Sequence, residues 1–187
     1  MKKLPELNTE RTHLRLLSQE RAVLAARYYE ENKEHLAPWE PERLPEFFTP
    51  GHWDEQIAEN LKAFEEKTDI RLFALDLQDS EILGVCNFTN ISFGPFMACH
   101  LGYSISRRFE GKGLMSEILE AGIKFMFETI GLHRIMANYQ PHNYRSAALL
   151  DRLGFIREGY AQSYLKLNGA WRDHVLTSRI NHNADEA

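Results

Sequence analysis

The sequence predicts a mixed α/β fold (α+β in its mostly antiparallel sheet) with helices on both faces. Three observations predict it. Strand-like runs outnumber helical ones, turn chemistry at Gln78–Glu81 and Asn168–Gly169 joins neighbouring runs as hairpins, and a glycine-containing junction leads one strand directly into a strongly amphipathic helix.

Taken in order, His13 to Leu17 is the first strand, and Ser18 is placed to cap a helix running through about Asn32. Four prolines between Ala37 and Gly51 exclude a regular helix there and predict a structured surface loop. Trp53, Ile57, Leu61 and Phe64 then recur at helical spacing. Strands follow over Ile70 to Leu77, Ile82 to Ile91 and Ala98 to Ser106. Met115, Ile118, Leu119, Gly122, Met126 and Ile130 mark the central helix, which Gly131 is positioned to end. A strand over Arg134 to Tyr139 leads to Asn143, the cap of a short helix carrying Ala147, Leu150 and Leu153 and closed by Gly154. Strands around Phe155 to Leu167 and His174 to Ile180 complete the order β-α-α-β-β-β-α-β-α-β-β.

The 187 residues suit one domain over 1–187, with a core from about residue 10 to 181, and the 43% hydrophobic content can fill it. The two lysines near the start have no apolar run behind them, so no secretory leader is expected. No window approaches a membrane span. Cys86 and Cys99 sit in strand-like runs and read as buried free thiols, consistent with a cytoplasmic location. A net charge of −5 argues against a nucleic-acid surface. Acid gathers at Glu30, Glu31 and Glu34 and again at Glu40, Glu42 and Glu46, as a solvated face or as an attraction for a basic substrate. Composition alone marks Asn183 to Ala187 as a disordered tail.

The chemistry concentrates at Tyr103-Ser104-Ile105-Ser106-Arg107-Arg108-Phe109-Glu110-Gly111-Lys112-Gly113-Leu114-Met115. First-turn amides of a helix lack internal partners and carry partial positive charge, and glycines let a phosphate approach them. Arg108 and Lys112 add charge. Ser116 stands where a dinucleotide fingerprint needs its third glycine, and Gly113 stands where a Walker loop needs Ser or Thr. What remains is Arg-x-x-Gly-x-Gly, from Arg108, Gly111 and Gly113, and it resembles the pyrophosphate arm of the GNAT N-acetyltransferase superfamily.

A second stretch, Asn138 to Ser146 ending in Leu153-Gly154-Phe155, is similar to the other half of the GNAT cofactor site. The resemblance implies that the strands at Ala98 to Ser106 and Arg134 to Tyr139 splay apart to hold the pantetheine of acetyl-CoA, with no metal. It implies cofactor contacts from Tyr103, Ser104, Ile105, Arg108 and Phe109, from Gly111 through Met115, and from Asn138, Asn143 and Ser146. Leu36-x-Pro-Trp-Glu-Pro, Glu158-Gly-Tyr-Ala and Gly169-x-Trp-Arg-Asp-His further resemble the RimJ family within the RimJ/RimL group. That family acetylates the N-terminal alanine of a small-subunit ribosomal protein. The resemblance therefore implies a protein N-terminus as acceptor and the ribosome or its precursor as wider partner.

Backbone amides around Tyr103 to Ile105 are the oxyanion donors this implies, and Ser146 is the candidate proton donor to the leaving thiolate. Leu150 stands where many GNATs carry a tyrosine for that step. An α-amine, pKa ~8, is easier to deprotonate than lysine by about 3 kcal/mol, so a weak base suffices. Glu40, Glu158 and His174 are the candidates, and each also suits a structural role. Glu40 can equally receive the ammonium, with Trp39 and Trp171 shaping a slot for a small first residue. A small-molecule amine as acceptor, and a non-catalytic CoA-binding role in ribosome assembly or regulation, stay open.

Overall fold

The computed structural model describes residues 4–182, so the tail expectation for residues 183–187 falls outside the described residues. The strands are β1 (Glu6–Asn8), β2 (His13–Arg15), β3 (Ile70–Leu75), β4 (Ile82–Ser92), β5 (Ala98–Ile105), β6 (Arg134–Tyr139), β7 (Ile156–Leu167) and β8 (Ala170–Ile180). The α-helices are α1 (Ala22–Glu31), α2 (Lys33–Leu36), α3 (Pro50–Glu66), α4 (Leu114–Glu128) and α5 (Tyr144–Arg152). The strands form one sheet in the order β1-β2-β3-β4-β5-β6-β8-β7. Every neighbouring pair is antiparallel except β5 and β6.

The sheet is covered on both faces because its central strands are apolar at successive positions. Leu72, Ala74, Cys86, Phe88 and Cys99 face α4, joined by Leu149, Leu150 and Leu153 from the α5 segment. Phe73, Leu75 and Val85 face the opposite way, onto Tyr28, Tyr29, Trp53 and Ile57 from α1 and α3. Gly122 lets α4 lie close on β4, since a Cβ there would come within 2.9 Å of Cys86 Sγ. Both cysteines are free and buried, and burial pushes the Cys99 thiol up to about 12.

Several boundaries move for identifiable reasons. Strand β1 was not anticipated; three residues give too little pattern, and pairing of Leu7 with Leu14 forms it. The first expected strand stops at Arg15 although Leu16 and Leu17 are buried. Ser18 makes no side-chain cap; a single 3₁₀ turn at Gln19–Arg21 intervenes, and α1 starts at Ala22. The proline segment is a loop broken by short helical turns, and it ends before Pro50. Pro50 takes the first helical position of α3, where its fixed φ is favourable, and the Thr49 side chain accepts the His52 N–H at 3.4 Å. The last strand begins at Ala170 rather than His174, because Asn168 and Gly169 both take positive φ (45° and 75°) and close a tight hairpin. Gly131, at φ 82°, follows the end of α4 as expected.

Candidate active site

Strands β5 and β6 pair only at Ala98–Arg134, Cys99–Ile135 and His100–Met136. Beyond them β5 runs on to Ile105 and β6 to Tyr139, so the two strands diverge and open a gap. Strand β5 stays paired to β4 along this stretch, Ser104 opposite Val85 and Ile105 opposite Gly84. The Ser106 N–H donates to the Leu83 carbonyl at 2.8 Å. Antiparallel alternation then commits the Ser104 amide to β4 and turns the Tyr103 and Ile105 amides into the gap. Two of the three expected oxyanion donors are therefore open. The Ser104 amide is not, and its hydroxyl bonds Tyr28 Oη at 2.9 Å, on the face covered by α1 and α3.

The gap continues into a cleft of about 320 Å³ that brings Trp39, Glu40, Tyr103, Asn138, Asn143, Ser146 and His174 together. On its cofactor side Asn143 Oδ1 caps α5 by accepting the Ser146 N–H at 3.1 Å, which leaves Nδ2 to donate. Ser146 thus sits in the first turn of α5, facing Tyr103 across the gap. The Tyr103 hydroxyl is buried without a hydrogen-bond partner; burial pushes it up to about 12, opposed by the nearby Ser146. Asn138 ties its amide to structure, Nδ2 donating to Tyr164 Oη at 3.3 Å and Oδ1 accepting the Thr177 N–H at 3.4 Å.

At the outer end, Gly111 and Gly113 both adopt left-handed φ (71° and 73°), and Gly113 is the N-cap of α4 with no side-chain bond to its amides. The first-turn amides of α4 are left for an anion. Arg108 pairs with Glu81, and Arg108 and Lys112 both lie over the Phe109 ring, 5.4 and 5.5 Å from its centre. Arg11, which the sequence did not single out, bonds the Lys112 carbonyl at 3.0 Å and Glu117 at 2.6 Å, bringing a further cation beside Gly113. Leu114 and Met115 are buried, so their part in the site is through main-chain N–H groups.

On the acceptor side, residues 38–40 are pinned from two directions. Gln140 Nε2 donates to the Pro38 carbonyl at 3.0 Å, and the Asn168 N–H of the hairpin turn donates to the Glu40 carbonyl at 2.9 Å. Trp39 packs against His142 with ring centres 5.4 Å apart. The Glu40 carboxyl is raised above its usual range, chiefly by burial, with Arg43 at 3.5 Å opposing. Of the acidic residues noted above only Glu40 lines the cleft; Glu30, Glu31, Glu34, Glu42 and Glu46 are exposed.

His174 is buried, its Nδ1 bonded to the Arg172 carbonyl at 3.0 Å, and burial holds its pKa below the usual imidazole value. Its ring lines the cleft.

Two expected site residues lie elsewhere. Glu158 is exposed on β7 outside the cleft, bonded to Arg134 at 2.6 Å and Ser178 at 2.7 Å; these contacts hold its carboxyl below the usual range, which makes it a poor base. Trp171 pairs with Lys166 in the β7–β8 ladder, one position off the face that carries Leu165 and Leu167 into the cleft, and is 63% exposed. Adjacent residues of a hairpin point to opposite faces, and motif position alone does not say which.

Residues 11–156 match the model of the acetyltransferase (GNAT) domain. The chain belongs to the GNAT acetyltransferase family. Among relatives of this acetyltransferase, the [ribosomal protein uS5]-alanine N-acetyltransferase of Escherichia coli K12 is 47% identical over 173 residues, 92% of this chain and 89% of the relative. A solved structure of ribosomal-protein-S5-alanine acetyltransferase from Vibrio fischeri superposes with a TM-score of 0.91 at 40% identity, covering 96% of this chain and 98% of that one. RimJ of Mycobacterium smegmatis in complex with CoA-disulfide has a TM-score of 0.87 at 25% identity, covering 96% and 88%. Among the described residues no helix is long and apolar enough to cross a membrane.

Proposed function

We propose that this GNAT acetyltransferase moves the acetyl group of acetyl-CoA onto the N-terminal alanine of a small-subunit ribosomal protein. One observation carries the reading: 47% identity across 92% of the chain to an E. coli enzyme named for that acceptor. Gly111, Gly113 and the first turn of α4 hold the pyrophosphate, with Arg108, Lys112 and Arg11 around it. Asn143 Nδ2 and the open edges of β5 and β6 hold the pantetheine.

The Tyr103 and Ile105 amides aim at the thioester oxygen, where negative charge develops as the amine attacks. The C–S bond then breaks as the Ser146 hydroxyl hands its proton to the leaving thiolate and takes in its place, through water, the second proton of the attacking nitrogen. Glu40 receives the substrate ammonium and, through water, takes the proton that the α-amine must lose. Trp39 closes an apolar wall against a small first side chain. Holding both reactants in one cleft supplies the orientation.

The test is mass spectrometry of acetyl-CoA reactions with an alanine-starting peptide, the same peptide blocked at its N-terminus, and a blocked peptide bearing lysine. Only the first should gain an acetyl group. Equal rates on the blocked lysine peptide would falsify an α-amine acceptor, and turnover of small amines alone would replace it with a small-molecule one.

A further inference from the structure

We infer that a row of three residues on the cleft floor, Arg71, Asn87 and Gly102, seats the main chain of an extended acceptor peptide just beyond its first residue. The inference rests on the α-amine reading above and says how such an acceptor is told from a small amine.

The row is set by register. Arg71 on β3 stands opposite Asn87 on β4, and Asn87 stands opposite Gly102 on β5, so all three share one face of the sheet. Two positions along the same face lies the row Phe73, Val85, Ser104, and all six residues line the cleft. The second row flanks the Tyr103 and Ile105 amides, where the reacting amine must arrive.

Each member of the first row departs from what a buried sheet centre requires. Asn87 interrupts an otherwise apolar stretch of β4, and its Oδ1 is buried without a hydrogen-bond partner. An orphaned buried acceptor destabilises the free protein, and a ligand donor removes that cost. Arg71 lines the cleft and is held by Asp69 through a single 3.4 Å bond, which leaves guanidinium donors for a ligand. Gly102 does not adopt a left-handed φ, and a Cβ built on it would meet nothing within 4 Å. Neither backbone conformation nor packing therefore demands glycine at 102. It leaves bare main chain under open space.

Acceptor, donor and open floor in one row are the complement of a peptide backbone. A substrate N–H donates to Asn87 Oδ1, a substrate carbonyl accepts from Arg71, and the chain lies over Gly102. Spacing supports the match. Residues two apart on one face of a strand are about 7 Å apart, and an extended peptide advances about 3.3–3.6 Å per residue. A chain whose amine sits at the Ser104 row therefore lays its second and third peptide units over the Gly102 row. Recognition through main chain fixes the need for a peptide while leaving the second and third side chains free to vary.

The experiment measures kcat/KM for alaninamide, for an alanine-starting tripeptide amide, and for that tripeptide methylated at its second and third peptide nitrogens. The proteins are wild type, Asn87→Leu and Gly102→Val, the last placing its side chain in open space so that folding is preserved. Wild type should gain about tenfold or more from alaninamide to tripeptide, equivalent to about 1.4 kcal/mol, and lose that gain on N-methylation. Both variants should collapse the tripeptide-to-alaninamide ratio toward one, with the KM for acetyl-CoA unmoved. A wild type indifferent to chain length, or variants that keep the ratio, would overturn the inference while leaving the α-amine reading intact. A wild type that binds acetyl-CoA but turns over no alanine acceptor would remove that reading, and this inference with it.

Discussion

The two halves of the cleft are built on different principles. The cofactor half is made of main-chain groups: the first-turn amides of α4, the amides of Tyr103 and Ile105, and the cap of α5. Glycine freedom, element ends and the divergence of β5 from β6 supply most of them, so two short stretches of chain carry nearly the whole half, with Arg11 added from outside. The acceptor half is made of side chains from segments far apart in the chain, with Glu40 from the proline loop, Arg71 from β3, Asn87 from β4 and His174 from β8. On the proposed reading, cofactor binding rests mostly on short local stretches of chain, and acceptor choice on the assembled sheet. Substitutions in the two halves should separate cleanly in kinetics.

Glu40→Gln should have the largest effect. It removes the cleft carboxylate while keeping the side chain's shape, and kcat/KM for the peptide should fall about a hundredfold, within the range for loss of a proton acceptor. The KM for acetyl-CoA should stay put; if it rises in parallel, the two halves are not separate. The pH profile sharpens the point. Burial raises the Glu40 carboxyl, so as pH falls it takes up its proton earlier than an ordinary carboxylate. The acid limb of kcat/KM should therefore lie above the usual carboxylate range and vanish in the variant. The same sign means that the charged form is disfavoured in the folded protein, so Glu40 adds stability as pH falls through its raised value. Thermal melts of Glu40→Gln at neutral pH should equal or exceed wild type.

Gly113→Val probes the other half. A branched side chain at φ 73° is strained by about 1–2 kcal/mol, which would displace the α4 amides and raise the KM for acetyl-CoA about tenfold. The peptide KM should change little. Titration calorimetry with CoA reads the same loss without turnover, and unchanged CoA affinity would detach the glycine loop from the pyrophosphate.

These halves also differ in how they were legible in the sequence. Gly111, Gly113 and Asn143 carry a local signal, because turn and cap chemistry acts over a few residues, and the structure shows the left-handed glycines and the cap. Arg71 and Asn87 had a weaker signal, polar residues inside apolar strands, whose sense depends on which face they occupy. That face is set by the pairing of β3 with β4 and of β4 with β5, each more than ten residues away. Trp171 and Glu158 fail for the same reason: motif position put them near the site, while hairpin register turned Trp171 aside and an ion pair with Arg134 claimed Glu158. The commitment of the Ser104 amide to β4 likewise needed the register and could not be read from Tyr103-Ser104-Ile105 alone.

Ser146→Ala should lower kcat about fivefold, less than the hundredfold expected of an irreplaceable acid, because a water can occupy the vacated hydroxyl position. Both KM values should hold, since Ser146 contributes its backbone N–H to the Asn143 cap whatever its side chain. The decline should be steepest for CoA analogues with a more basic leaving thiolate. A variant indistinguishable from wild type on such analogues would pass the proton to another donor.

Glu158→Gln should do least, and for that reason it tests where the site ends. The carboxylate bonds Arg134 Nη1 at 2.6 Å and accepts the Ser178 hydroxyl, tying β7 to the strand pair behind the gap. It is 44% exposed, so solvent screens the pair and its loss should cost about 0.2–1 kcal/mol of stability. That loss has a defined pH dependence. The partners lower the Glu158 carboxyl, so its contribution is present above the ordinary carboxylate pKa and disappears as pH falls through the lowered value. Wild type and variant should differ in unfolding midpoint at neutral pH and converge in acid. Catalysis should be untouched at every pH, because a carboxylate already held by Arg134 has neither the basicity nor the position to take a proton from an amine in the cleft. A fall in kcat/KM for the peptide in this variant would move the acceptor side of the site across β8 and undo the division between the two halves.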